Sequence, residues 1–345
     1  MIAVLVAVLV CVLIYKIVKP PATKICGSLN GPPVSSPRIR LRDGRYLAYK
    51  VQGAAIEDSR FKVIVTHGFY TSKDTYIPMS DDWLEELSIC VVTFDRPGYA
   101  ESDPNPNRSP KADAFDIQDL ADRLELGPKF YVIGLSIGCY SVWGCLKYIP
   151  HRLAGVVLGV PVVNYWWPSL PYELRIKAYS KLASLDQWRL RIVHHVPKVA
   201  WILQRWFPFP TVGYIQRTNP KAFNRSDQMI LQALLGLPSP DKDKIEQQGA
   251  YESLHRDIVV SYGQWEFDPL DLANPFPDDN SRSVHLWIGR EDGIVAVELQ
   301  RHIAERLPWI HCHEVPYGGH LFIHDPKTCE MIFNSLFFGQ LPSFK

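Results

Sequence analysis

The feature that most restricts the fold of this chain is a series of short apolar runs that do not alternate with polar residues. They fall at 61–66 (Phe-Lys-Val-Ile-Val-Thr), 89–94, 130–134, 153–159 and 284–289, and glycines punctuate them. A strand with one wet face alternates apolar and polar residues, whereas a run apolar at nearly every position suits a strand buried on both faces. Helix-compatible stretches such as 112–126 and 141–148 lie between the runs. Strand alternating with helix predicts an α/β chain with a mostly parallel central sheet flanked by helices. A β-hairpin is expected ahead of it, turning at Asp43-Gly44.

The alternation lapses between about residues 165 and 265. That segment offers no buried strand and carries Trp166, Trp167, Trp188, Trp201, Trp206 and Trp265 on amphipathic helical stretches. Strand-like sequence resumes at Val284, so 165–265 reads as a helical cap inserted within the sheet. Tyr70, Trp166 and Trp167 are candidate substrate-binding residues. The competing reading is that the cap tryptophans only pack it onto the sheet, since aromatic rings serve cores as readily as pockets.

Residues 2–15 are all apolar, and Ile17 and Val18 continue the run beyond Lys16. At about 1.5 Å per residue this helix would measure roughly 27 Å, close to a bilayer core of about 30 Å. No basic side chain precedes the run and Lys-Pro-Pro follows it, which predicts an uncleaved single-pass anchor over 1–18 rather than a signal peptide. Lys16, Lys19 and Lys24 on the C-terminal flank then put the remainder of the chain on the cytosolic side of a membrane. The Pro-Pro pairs and small residues of 19–37 read as a linker, leaving 38–345 as the main domain.

Charge and cysteine usage exclude several classes. Lys plus Arg number 37 against 36 Asp plus Glu, a net charge of +1, so no basic excess exists to bind nucleic acid. Seven cysteines with no Cys-x-x-Cys pair argue against a disulfide framework or a zinc knuckle. Two Asn-x-Ser sequons, at Asn107 and Asn224, leave the compartment open.

The chemistry centres on Gly134-Leu135-Ser136-Ile137-Gly138, which follows an apolar run and precedes a helix-compatible one. A sharp strand-to-helix turn exposes the central hydroxyl and tolerates only small residues two positions either side. A serine of ordinary pKa needs a base, and the base needs an orienting carboxylate. His320, on the loose Gly318-Gly319 loop after the last strand, fits the base best among 11 histidines, with His324 its close competitor. Asp292, in Gly289-Arg-Glu-Asp-Gly293, fits the acid, with Glu291 the alternate and Asp268 a remoter one. The developing oxyanion needs main-chain donors, and the N–H groups of Ile137 and of Phe69 (in Thr66-His67-Gly68-Phe69-Tyr70) are placed to supply them. His311 and His313 lack a third ligand for a metal, and His194-His195 read as cap residues. No metal or cofactor is called for.

In these motifs the chain resembles the α/β-hydrolase superfamily, in the broad group of esterases, lipases and epoxide hydrolases. The pieces that carry the resemblance are His67-Gly68-Phe69, Asp95-Arg96-Pro97-Gly98-Tyr99-Ala100-Glu101-Ser102, Gly134 to Gly138, Gly289 with Asp292, and Gly319-His320. Wider phrases, including 146–155, 161–168 and Asn274-Pro-Phe-Pro, look like a plant subgroup of membrane-anchored α/β-hydrolases. Two positions depart from the pattern: Ala100 stands where a second glycine is usual, and Cys139 where glycine or alanine is common. Serine at the elbow, rather than the carboxylate of epoxide hydrolases and haloalkane dehalogenases, implies acyl transfer. The resemblance therefore implies a serine hydrolase acting on a carboxylic ester, with thioester or amide as lesser options. A small apolar or amphipathic ester-like molecule is the expected substrate, its apolar character suggested by the Trp-rich cap. A slow-turnover ligand receptor on the same scaffold, or a lyase or carbon–carbon hydrolase, are the alternatives the motifs leave open. Protein partners are not legible.

Overall fold

A computed structural model describes residues 2–206, 209–235, 242–277 and 283–344. Eight strands form one sheet: β1 (Arg38–Arg40), β2 (Tyr46–Gly53), β3 (Phe61–Thr66), β4 (Ile89–Phe94), β5 (Phe130–Leu135), β6 (Leu153–Gly159), β7 (Val284–Gly289) and β8 (Ile310–Val315). Their spatial order is β1-β2-β4-β3-β5-β6-β7-β8. The β1–β2 hairpin joins antiparallel to β4, and every pairing from β4 to β8 is parallel.

The non-alternating runs have a direct physical reason. Consecutive strand residues point to opposite faces, and here both faces are dry. Ile64, Val92, Val132 and Val156 enter one core cluster, while their neighbours Val63, Val91, Ile133 and Val157 enter the other. Helices flanking the sheet close each face. Thirteen α-helices are described. The first four are α1 (Ile2–Val18), α2 (Asp81–Glu86), α3 (Pro110–Arg123) and α4 (Cys139–Tyr148). Seven more lie between β6 and β7: α5 (Tyr172–Ser180), α6 (Ser184–His195), α7 (Pro197–Trp206), α8 (Val212–Thr218), α9 (Arg225–Leu234), α10 (Lys242–Ile245) and α11 (Arg256–Tyr262). Two close the chain, α12 (Val297–Arg306) and α13 (Pro326–Phe338). Side chains of α3, α4 and α12 (Ile117, Trp143, Leu299) cover the first face, and those of α2 and α13 (Leu84, Phe333) the second.

Among the described residues between β6 and β7 there is no strand, and α5–α11 form a helical insertion there. A fully buried ion pair ties it to the sheet. Arg96, after β4, donates from Nη2 to Asp257 Oδ2 of α11 at 2.8 Å, and its Nη1 contacts the other carboxylate oxygen. Arg108 and the hydroxyl of Tyr99 donate to the same carboxylate at 3.1 and 2.7 Å. A buried carboxylate needs such partners, because burial alone disfavours its charge.

Two expectations change at the N-terminus. The apolar run does form a helix, but α1 has 17 residues, and among the described residues no helix is long and apolar enough to cross a membrane. The expected spanning anchor is therefore not found among the described residues. Residues 19–37 hold no regular element, yet they are strapped down. The buried Glu101 accepts from the Ser35 and Ser36 N–H groups at 3.0 and 2.8 Å, and Lys244 pairs with it at 2.7 Å. Farther along the strap, Gln248 accepts from Cys26 N–H at 3.0 Å.

Candidate active site

Gly134-Leu135-Ser136-Ile137-Gly138 joins β5 to α4, and Ser136 has φ 52°. That left-handed backbone is unfavourable for a serine, by about 1–2 kcal/mol, and persists because the turn is packed on both sides. A Cβ at Gly134 would meet Val142 Cγ2 at 2.6 Å, and one at Gly138 would meet the His67 carbonyl oxygen at 2.6 Å. The one-turn 3₁₀ segment Ser136–Gly138 runs directly into α4, so the serine sits at a helical N-terminus.

The loops after β7 and β8 reach the same edge. His320 Nε2 lies 3.0 Å from Ser136 Oγ, and its Nδ1 lies 2.8 Å from Asp292 Oδ2. A carboxylate can only accept, so Nδ1 carries the proton and donates to Asp292, leaving Nε2 free to accept from the serine hydroxyl. Asp292 is fixed in turn by the N–H groups of Ile294 and Val295, which donate to Oδ1 at 2.8 and 2.9 Å. Burial pulls the His320 pKa down, but the charge and hydrogen bond of Asp292, joined by the charge of Asp227, outweigh it and hold the imidazole above its ordinary 6.5.

Phe69 and Ile137 flank the serine. A Cβ on Gly68 would lie 3.8 Å from Ser136 Cβ, which puts the Gly68–Phe69 turn beside the hydroxyl. The Gly68 carbonyl is pinned twice, by His67 Nδ1 at 2.8 Å and by Arg96 Nη2 at 2.9 Å. His67 is buried and its pKa is driven well below 6.5, first by burial and then by Arg96, so the ring is neutral. Its Nε2 accepts from Arg96 N–H at 3.0 Å, so Nδ1 is the donor to Gly68. In a trans peptide the N–H opposes the carbonyl, so pinning the Gly68 oxygen also aims the Phe69 N–H.

The competing assignments lie elsewhere. Glu291 accepts from Asn224 Nδ2 at 2.9 Å, and Asp268 caps the turn Pro269–Asp271 through Leu270 N–H at 2.9 Å. His324 pairs with the Tyr76 carbonyl at 3.1 Å. Cys139 is buried, its Sγ donates to the Gly134 carbonyl at 3.1 Å, and burial pushes its thiol pKa far up, so it is an inert elbow-packing group. His313 Nε2 lies 2.8 Å from His285 Nδ1, and among the described residues no group of three or more side chains could hold a metal ion.

Tyr70, Trp166 and Trp167 face other partners. Trp167 is 2% exposed and rests edge-on against Trp143 at 6.1 Å, with Trp265 at 5.3 Å. Trp166 stacks on His194 at 4.5 Å. Both rings pack the insertion against itself and the sheet helices. Tyr70 hydrogen-bonds Glu246, and burial followed by that bond pushes its pKa up to about 12. The side chain of Trp206 lies outside the described residues.

Sequence reasoning missed Asn224 and Asp227, at the start of α9. Asn224 caps the helix and also donates to Glu291 and to the Tyr317 carbonyl, both at 2.9 Å. Asp227 accepts from the main chain of His320 and Leu321. Asn followed three residues later by an acid is a legible helix start, but nothing local shows that the helix lands on loops some 90 positions away.

The family model described as "Alpha/beta hydrolase family" matches residues 63–330. The chain belongs to that family. A thermophilic esterase from Thermogutta terrifontis shares 20% identity and a TM-score of 0.53, covering 88% of this chain and 97% of that one. The enol-lactonase from Burkholderia xenovorans LB400 shares 14% identity and a TM-score of 0.56, covering 88% of this chain and 100% of its own. An esterase from Exiguobacterium antarcticum gives 14% identity and 0.56, over 87% and 98%. Such likenesses carry the fold, an α/β-hydrolase fold, and do not reach the plant subgroup. Compared with curated proteins by sequence, the chain has no match.

Proposed function

We propose that this hydrolase cleaves a carboxylic ester through an acyl-enzyme on Ser136. The observation that carries the reading is the unbroken relay from Ser136 Oγ through His320 to Asp292, at 3.0 and 2.8 Å, on a positive-φ elbow. Ser136 Oγ attacks the carbonyl carbon as its proton passes to His320 Nε2. Negative charge collects on the carbonyl oxygen, where the N–H groups of Ile137 and Phe69 receive it, each donor worth about 3 kcal/mol in the transition state. The carbon–oxygen bond then breaks, and His320 returns its proton to the departing alcohol. Water, deprotonated by the same imidazole, attacks the acyl-enzyme and releases the acid. Thioesters and amides are secondary substrates of the same chemistry.

The esterase and the enol-lactonase among the structural neighbours support acyl–oxygen cleavage as the reaction type. The substrate proposed is an apolar or amphipathic ester. We propose further that α1 attaches the chain to a membrane with the main domain on the cytosolic side, since Val4, Leu5, Val8 and Leu9 are all more than half exposed. Chromogenic esters of graded acyl length test the reaction. Ser136→Ala and His320→Ala should each lower kcat/KM by about 10³-fold or more, and the double variant should lose little beyond either, because the two act as a unit. Full activity in Ser136→Ala overturns the assignment.

A further inference from the structure

The proposed triad leaves one buried carboxylate beside it unexplained. Asp227 stands in the first turn of α9, within the insertion, and is 0% exposed. Its two oxygens accept from consecutive backbone groups of the histidine loop. His320 N–H donates to Oδ2 at 3.0 Å and Leu321 N–H to Oδ1 at 2.7 Å. The helix end is itself clamped to both catalytic loops: Asn224 reaches Glu291 on the acid loop and the Tyr317 carbonyl on the histidine loop.

Gly319 bears the imprint of this contact. A Cβ built there would sit 1.9 Å from Asp227 Oδ2 and 2.3 Å from its Cγ. The φ of Gly319 is outside the left-handed range, so backbone conformation does not demand glycine. The carboxylate does.

We infer that Asp227 is a positioning residue for the proposed base: from within the insertion, its carboxylate fixes the main chain of His320 and sets a second negative charge beside the imidazole. This rests on the triad reading above. Two titratable groups act on His320: Asp292 on the β7 loop and Asp227 on α9 both favour the imidazolium. His324, beyond the loop, is held below its ordinary value by burial first and also by the charge of His320. Asp227 is itself pushed upward by burial, an effect that the two N–H donors and His320 oppose.

The test uses the full chain in three forms: native, Asp227→Asn and Asn224→Ala. Asparagine keeps the shape but removes the charge and turns an amide NH₂ toward an N–H donor. Asn224→Ala loosens the same helix end and leaves the carboxylate. Titration of the His320 ring by NMR should show a lower pKa in Asp227→Asn than in native protein, and a native value in Asn224→Ala. Fluorophosphonate labelling rates, normalised to titratable sites so that only folded protein counts, should fall on the order of tenfold in Asp227→Asn, since small misplacements of a catalytic group cost this much or more. The acid limb of the rate profile should move to lower pH. If Asp227→Asn does not fold, Gly319→Ala serves instead, its methyl displacing the carboxylate, and it should lower the His320 pKa likewise. An unchanged His320 pKa in the folded variant overturns the inference. Failure of native protein to label overturns the serine reading alone, because the ring titration reports on Asp227 without turnover.

Discussion

At the residue scale, the pKa of His320 has a direct consequence for rate. The imidazole must be neutral to accept the serine proton, and Asp292 and Asp227 together outweigh burial and raise its pKa. Activity is therefore lost as pH falls through that raised value, and the acid limb of kcat/KM should have its midpoint above 6.5; a midpoint below it contradicts the electrostatic account. Ala100 offers a second residue-level prediction. It occupies φ 40°, the left-handed region in which the usual glycine of this motif is at ease. Ala100→Gly relieves about 1–2 kcal/mol of strain but frees the unfolded chain by somewhat less. The expected net gain is about 0.5–1 kcal/mol, read as a higher urea midpoint.

Elements were legible where their cause is local. The runs at 89–94 and 284–289 announced strands buried on both faces because nearly every residue in them is apolar, Thr93 and His285 apart, and each is buried throughout. The elbow was readable because its geometry permits so few residues. The strap of 19–37 was not, because its proline-rich, polar sequence carries no sign of Glu101, the carboxylate that holds it. Burial alone would raise the Glu101 pKa, but bonds from Lys244, Ser35 and Ser36 outweigh it and bring it to about 2, against 4.5 for a free glutamate. A depressed pKa means the strap contributes its full stability above about pH 4.5 and loses it progressively toward pH 2. Hydrogen exchange at residues 23–36 should therefore accelerate over that window in native protein and already be fast at neutral pH in Glu101→Gln. Exchange that ignores both changes would show that the strap is held by other contacts.

For the whole molecule, the insertion is more than a cover. Through Asp257 it reaches Arg96, which pins the Gly68 carbonyl beside Phe69, and through Asp227 it reaches His320. This coupling was not legible in the sequence, since Arg96 and Asp257 are 161 positions apart. The role of Trp166 and Trp167 was not legible either, because a ring's type does not tell whether it lines a pocket or fills a core. Asp257→Ala leaves the buried Arg96 without its carboxylate and Arg108 with only Asp113, at 3.5 Å, and should cost about 3–5 kcal/mol of stability, measurable as a large drop in unfolding midpoint with activity lost alongside.

The most direct measurement is mass-spectrometric mapping of a fluorophosphonate adduct. Native protein should gain one phosphonyl group, carried on the peptide that contains Ser136, at a rate that climbs as His320 loses its proton. An adduct on another residue, or equal labelling of Ser136→Ala, would contradict a serine-centred mechanism.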